Sequence, residues 1–278
     1  MLSYRHSFHA GGFADVIKHI VVIEILQHLV GKDRAFHYID THAGAGLYDL
    51  RSEHADKLQE YVKGFGKLTV EALPELASYF AIVKKYNPTA ALNYYPGSPL
   101  IAAHFLRSAD RSWLFELHPA DFALLQQQFA ADRRVRVMRE DGFKGLLSLL
   151  PPVSQRGLVL VDPSYEVKSD YAQVFETVAR AHKKFPTGIY ALWYPVVDRT
   201  RIDALEKKFI ASGIRRVQRF ELGVSSDTHG KGLSAAGMIV INPPWMLLEK
   251  MTVLLPKLVA ALATGSDGFF QCQVLVGE

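Results

Sequence analysis

An α/β fold built on a mostly parallel, helix-covered sheet is what this 278-residue sequence predicts, and three observations predict it. The first is the stretch 157–165, G-L-V-L-V-D-P-S-Y, where four consecutive apolar residues, Leu158 to Val161, read as a strand buried on both faces. The second is a short apolar strand at 35–39 that runs into Asp40-Thr41-His42-Ala43-Gly44-Ala45-Gly46, an acid followed by a G-x-G turn. The third is recurrence. Asp40, Glu116, Asp141 and Asp162 each follow a short strand, and a parallel sheet gathers such ends on the edge where open α/β sheets bind ligands.

The elements follow in order. A run over 14–30 has Val16, Ile20, Ile23 and Leu26 to Leu29 at spacings of three and four, the mark of an amphipathic helix, with Gly31 as its stop. Ahead of it, Tyr4, Arg5 and His6 read as a short mobile arm near a ligand. The G-x-G turn is Rossmann-like, but no third glycine follows Gly46, which argues against a dinucleotide. About 65 residues separate Gly46 from the strand 112–117, far more than the dozen or so that a crossover needs. A helical insertion over 50–95, within a single domain of residues 1–278, accounts for them. It interleaves lysines (57, 63, 67, 84, 85) with aromatics (61, 65, 79, 80, 86), the composition either of an RNA-contacting surface or of an aromatic core under a solvated face. Ser98-Pro99 reads as the cap and first turn of a crossover helix to 107, with Ser98 facing the ligand. Glu116 is placed to accept bonds from ribose hydroxyls, and Asp141, with Gly142 allowing close approach, to meet an adenine amino group. Helices over 120–129, 171–184 and 198–212 and strands at 135–138, 188–194, 215–224 and 237–241 complete the pattern. The link 225–236, with its glycines and Lys231, reads as a flexible substrate loop.

Composition narrows the class. With 49% hydrophobic and 22% charged residues the chain is globular, and a net charge of +4 permits a nucleic-acid partner without demanding one. A single cysteine, Cys272, excludes an internal disulfide, no secretory signal opens the chain, and no apolar stretch is long enough for a membrane span, so a cytoplasmic location is expected. His6, His9 and His19 have no carboxylate or cysteine at metal-site spacing, and no metal is expected.

The chemistry centres on Asp162-Pro163-Ser164-Tyr165. An exocyclic amine of a nucleobase has its lone pair delocalised into the ring, and it attacks a methyl group well only when its hydrogens are held and the nitrogen pyramidalises. Asp162 and the Pro163 carbonyl can each accept one N–H, and Tyr165 can stack on the base. The tetrapeptide resembles D-P-P-Y, the catalytic motif of amino-methyltransferases acting on adenine or cytosine, with Ser164 in place of the second proline. The D-x-H-x-G-x-G turn is similar to the first motif of S-adenosylmethionine-dependent methyltransferases. Asn242-Pro243-Pro244-Trp245 is a second tetrapeptide of this kind. In the methyltransferase fold the last strand is antiparallel and its carboxyl end lies opposite the cofactor, so these residues are assigned a structural role.

Blocks spread over nearly the whole chain, Y-R-H-S-F-H-A-G with D-V-I-K-H, D-T-H-A-G-A-G, Y-Y-P-G-S-P, F-E-L-H-P, E-D-G-F and G-I-Y-A-L-W-Y-P-V-V, resemble the bacterial 23S ribosomal RNA methyltransferase family J. The resemblance implies a class I methyltransferase fold, with a mostly parallel sheet and an antiparallel last strand. It also implies a monomeric enzyme that methylates the N6 amine of one adenine in 23S ribosomal RNA, expected to be free of ribosomal proteins. Carried over by motif, His19, His42, Ser98, Glu116, Asp141, Gly142 and Asp162 would contact S-adenosylmethionine, and Tyr4 and His6 would lie at the cofactor and substrate opening. A DNA adenine methyltransferase shares the chemistry, and a non-catalytic cofactor- and RNA-binding protein follows if Ser164 disables the motif.

Overall fold

The computed structural model describes residues 5–166, 170–226 and 232–278. Tyr4 and Lys231, singled out above, lie outside them. The chain runs α1 (Phe13–Val30), β1 (His37–Asp40), β2 (Leu47–Asp49), α2 (Glu53–Leu58), α3 (Glu60–Lys63), α4 (Ala77–Tyr86), β3 (Tyr94–Pro96), α5 (Ser98–Phe105), β4 (Arg111–Phe115), α6 (Pro119–Gln128) and β5 (Val135–Met138). It continues with α7 (Gly142–Ser148), β6 (Gly157–Val161), α8 (Asp170–Lys184), β7 (Ile189–Val196), α9 (Arg199–Ala211), β8 (Val217–Gly223), β9 (Ala235–Ile241), α10 (Leu247–Leu262) and β10 (Phe269–Val276).

Eight strands form one sheet in the order β10-β8-β9-β7-β6-β1-β4-β5. From β5 through β7 every pairing is parallel, with β1 between β4 and β6. The chain builds β1, β4 and β5 outward in one direction, then returns across β1 to lay down β6 and β7, which makes the carboxyl ends of β1 and β6 a topological switch point. β9 runs antiparallel to both β7 and β8, as expected of the final strand, but it is not the last. β10 adds an antiparallel edge beside β8. Its half-exposed, weakly alternating sequence carries little strand signal.

Alternation along the strands feeds two cores. Leu158, Leu160, Tyr38 and Ala191 point to the face covered by α1, α4, α5, α6 and α10, and Val159, Val161, Ile39 and Tyr190 to the face covered by α7, α8 and α9. α1 corrects the expectation of an amphipathic helix. Twelve of its eighteen residues are buried, including Asp15, Lys18 and His19, because α5, α10 and the sheet enclose it. Burying each of its large aliphatic side chains contributes roughly 1.5–3 kcal/mol, which offsets the cost of carrying three polar residues inside. The short strands β2 and β3 pair antiparallel, and between them lie α2 to α4. There Phe65 and Tyr79 are buried with ring centroids 4.9 Å apart while the five lysines are exposed, so the aromatics form a core beneath a charged face.

Candidate active site

A cavity of about 410 Å³ opens at the carboxyl edge of the parallel strands. β1 ends on Asp40, which lies behind the lining residues Thr41, His42 and Ser98. The carboxylate is fully buried and accepts bonds from the Tyr38 hydroxyl (2.7 Å), the Ser98 hydroxyl (2.7 Å) and the His42 backbone N–H (3.2 Å). Burial raises its pKa, and these bonds oppose the rise. Ser98 therefore does not cap α5, as its position in sequence predicts. Gly97 is the cap residue, and the serine hydroxyl is used on Asp40 instead. Gly44 and Gly46 both have positive φ, and a Cβ on Gly44 would sit 2.1 Å from the Tyr48 hydroxyl, so the G-x-G turn requires glycine for its own packing. Glu116, at the end of β4, accepts the backbone N–H groups of Gly44 (2.8 Å) and His118 (2.6 Å) and has its pKa raised by burial.

Two histidines line the same cavity in uncharged form. His42 is pushed down to about 4 and His19 to about 3, burial being the main cause for each. His19 Nδ1 bonds the Tyr95 hydroxyl at 2.8 Å, while its Nε2 is buried with no partner among the described residues. Asp141 lines the rim and also caps α7, its Oδ1 accepting from the N–H groups of Phe143 and Lys144. Gly142 is required by the protein's own packing, since a Cβ there would lie 1.9 Å from the Thr41 carbonyl oxygen. Gly142→Ala is accordingly expected to push the Asp40–Gly44 turn away from α7. A stability loss of about 1–3 kcal/mol would register in denaturant unfolding, and an unchanged midpoint would contradict that packing.

A second cavity, of about 280 Å³, meets the first at Asp162, with Lys18, His6 and Ser164 lining both. Asp162 follows β6, whose five residues are all buried. Its Oδ2 accepts from Lys18 Nζ at 2.7 Å, and Lys18 also reaches Asp15 Oδ1 at 2.7 Å. Asp15 in turn meets His6 Nε2 at 2.9 Å and the Gly11 backbone N–H at 2.9 Å. A chain His6–Asp15–Lys18–Asp162, buried at Asp15 and Lys18, thus ties the start of the protein to the strand end. Burial pushes Asp162 up to about 6 against the pull of the Lys18 ammonium, whereas Asp15 is held well below the usual carboxylate range by His6 and Lys18 despite its burial. Tyr165 stands in the wall of the second cavity at φ +53°, a left-handed conformation rare for a bulky residue. Its hydroxyl donates to the Trp193 carbonyl (2.7 Å) and its ring packs on Tyr171 and Trp193, which hold it there. Trp193 lines the same cavity, with its indole N–H buried and lacking a partner among the described residues.

With that geometry in view, the relatives are informative. The family model described as "Ribosomal RNA large subunit methyltransferase D, RlmJ" matches residues 33–276. Two curated proteins named Ribosomal RNA large subunit methyltransferase J align over the whole of both chains, one from Escherichia coli (strain K12) at 49% identity and one from Haemophilus influenzae at 46%. The chain belongs to the RlmJ family of methyltransferases. A crystal structure of a Legionella pneumophila protein, 34% identical, superposes with a TM-score of 0.88 over 96% of this chain and 98% of that one.

In this member of the RlmJ family, His19, His42, Ser98, Glu116, Asp141, Gly142, Asp162 and Pro163 all line the first cavity, and His6 and Tyr165 line the second. Sequence reasoning did not single out Asp15, Lys18 and Trp193, which line the second cavity, although D-V-I-K-H and A-L-W-Y-P contain them. The three histidines weighed for metal binding go separate ways, His6 to Asp15, His9 to Glu60 and His19 to Tyr95. Asn242 ends β9 at the opposite edge of the sheet, its side-chain amide donating to the Pro186 and Gly188 carbonyls at the start of β7, both at 2.8 Å.

Proposed function

We propose that this chain transfers a methyl group from S-adenosylmethionine to the exocyclic N6 amine of one adenine in 23S ribosomal RNA, in the cytoplasm, on RNA free of ribosomal proteins. The meeting of two cavities at the Asp162 carboxylate carries the reading: one suits a nucleoside cofactor, the other an extruded base. The first cavity suits the cofactor through Glu116 for ribose hydroxyls, Asp141 for an amino group, and two neutral histidines, of which His19 has an unpartnered Nε2. Bound there, the cofactor supplies a sulfonium methyl electrophile.

The protein's part is positional and electrostatic. Lys18 holds Asp162 Oδ2, and Oδ1 accepts one N–H of the target amine while the Pro163 carbonyl accepts the other. Bound S-adenosylmethionine would supply the methyl group and leave as the thioether, and Asp162 would offset the positive charge developing on the amine nitrogen. The methylated amine then sheds one proton to that carboxylate. Tyr165 and Trp193 wall the base, and the indole N–H suits a ring-nitrogen acceptor. The reading includes the monomeric state that the family resemblance implies. The segment 50–95 reads as an inserted subdomain whose exposed lysines meet phosphates.

The test is label transfer from S-adenosylmethionine to protein-free large-subunit RNA across pH. Transfer needs Asp162 ionised, and burial puts its pKa at about 6, so the rate rises with pH through that value and levels off above it. A rate flat from about pH 5 to 8 contradicts the role given to Asp162.

A further inference from the structure

The second proline-rich tetrapeptide has a place and an exposure that a purely structural role does not explain. It lies at the amino edge of the parallel strands, beside Gly157 and Ile189, about 17 Å from Asp162 if β6 is measured at 3.3 Å per residue. Pro243 and Pro244 are buried, and Asn242, at φ +53°, is pinned by its two amide bonds to the start of β7. On this rigid base Trp245 is 78% exposed. An indole held that far into water forfeits the burial that normally retains tryptophan in a fold.

Its surroundings give the complementary half. The adjoining cavity, about 460 Å³, is lined by Lys32, Arg156, Arg216 and His28, and by no Asp or Glu among the described residues. Arg156 donates to the Arg34 and Leu29 carbonyls and Arg216 to the Pro243 carbonyl, and neither they nor Lys32 have a carboxylate partner among the described residues. The nearby acids are otherwise engaged or lie outside the lining: Asp110 holds Arg107, Glu24 holds Lys250, and Asp33 faces Arg107. Burial, with Arg107 and Arg34 nearby, lowers the Arg156 pKa, and Asp110 offsets only part of the fall. Such an excess of positive charge around a rigid aromatic is the composition of a single-strand stacking platform.

We propose that this face is a second RNA-binding site, taking an unpaired nucleobase on the Trp245 indole and the flanking phosphates on Lys32, Arg156 and Arg216. It rests on the reading of the substrate as RNA and adds to it a hold on the same molecule remote from the reacting base. The site sets affinity and selection of long RNA, and leaves the chemical step untouched.

The experiment measures the full chain's affinity for protein-free large-subunit RNA over a range of KCl, together with kcat and KM for methyl transfer to that RNA. Trp245→Ala is expected to weaken binding and raise KM about tenfold at unchanged kcat, with Trp245→Phe retaining most of the affinity. Arg216→Glu is expected to lower the slope of log affinity against log salt by about 1. Circular dichroism verifies that each variant folds. Affinities within about twofold of wild type for both Trp245→Ala and Arg216→Glu overturn the site. So does sedimentation showing that Trp245→Ala dissolves a dimer while RNA binding is unchanged, which would make this face an interface between copies. If wild type transfers no methyl group to RNA yet the variants lose RNA affinity, the site stands and the proposed reaction falls.

Discussion

Lys18→Met should cost this protein about 3–5 kcal/mol of stability at neutral pH. Lys18 is almost fully enclosed, and its ammonium is the cation shared by Asp15 and Asp162, both at 2.7 Å. Methionine roughly conserves the volume, so the loss measures charge rather than a cavity. The sign of the pH dependence follows from the direction of the shifts. Asp162 already has a folded pKa, about 6, above its unfolded value, so its contribution favours folding at low pH and is lost as pH rises through 6. Without Lys18, Asp162 moves further up and Asp15 rises from its depressed value. The gap between variant and wild type is then widest above pH 6 and narrows as acid protonates the pair. Urea unfolding at about pH 5 and 7.5 checks this, and equal stability at the higher pH would mean that the His6–Asp15–Lys18–Asp162 chain does not carry the charges assigned to it.

Asp162→Ala should lower methyl transfer by on the order of 10²–10³ while the fold persists. The carboxylate sits at the junction of the two cavities and is the acceptor that both holds the amine and takes its proton. Asp162→Asn separates the two duties. It keeps an oxygen acceptor but loses the charge, so transfer stays slow and the rise through pH 6 disappears. An Asn variant as fast as wild type, with the same pH profile, would move the proton-accepting role elsewhere.

What could be read before the fold was known follows from how local each signal is. The strand ending at Asp162 is legible because four apolar residues in a row have few other uses, and Asp40, Glu116 and Asp141 are legible because each follows a short, largely apolar segment. Lys18 was not. A lysine and an aspartate three residues apart on a helix look like a solvated face, and only the packing of α5, α10 and the sheet around α1 turns them inward. The left-handed Tyr165 is equally hidden, because it is held by ring packing on Tyr171 and Trp193 that the order of residues does not reveal. Asn242 shows the reverse case. Its tetrapeptide matches the chemistry as well as Asp162 does, and strand direction alone sends it to the far edge of the sheet.

The central claim, that the carboxylate between the two cavities directs a methyl group onto an adenine amine, is tested most directly by nucleoside analysis. Protein-free large-subunit RNA from cells lacking this gene is incubated with the protein and methyl-labelled S-adenosylmethionine, then digested. Label in N6-methyladenosine, present with wild type and absent with Asp162→Ala, is the result predicted. Label in any other nucleoside, or N6-methyladenosine formed equally well by the variant, would contradict it.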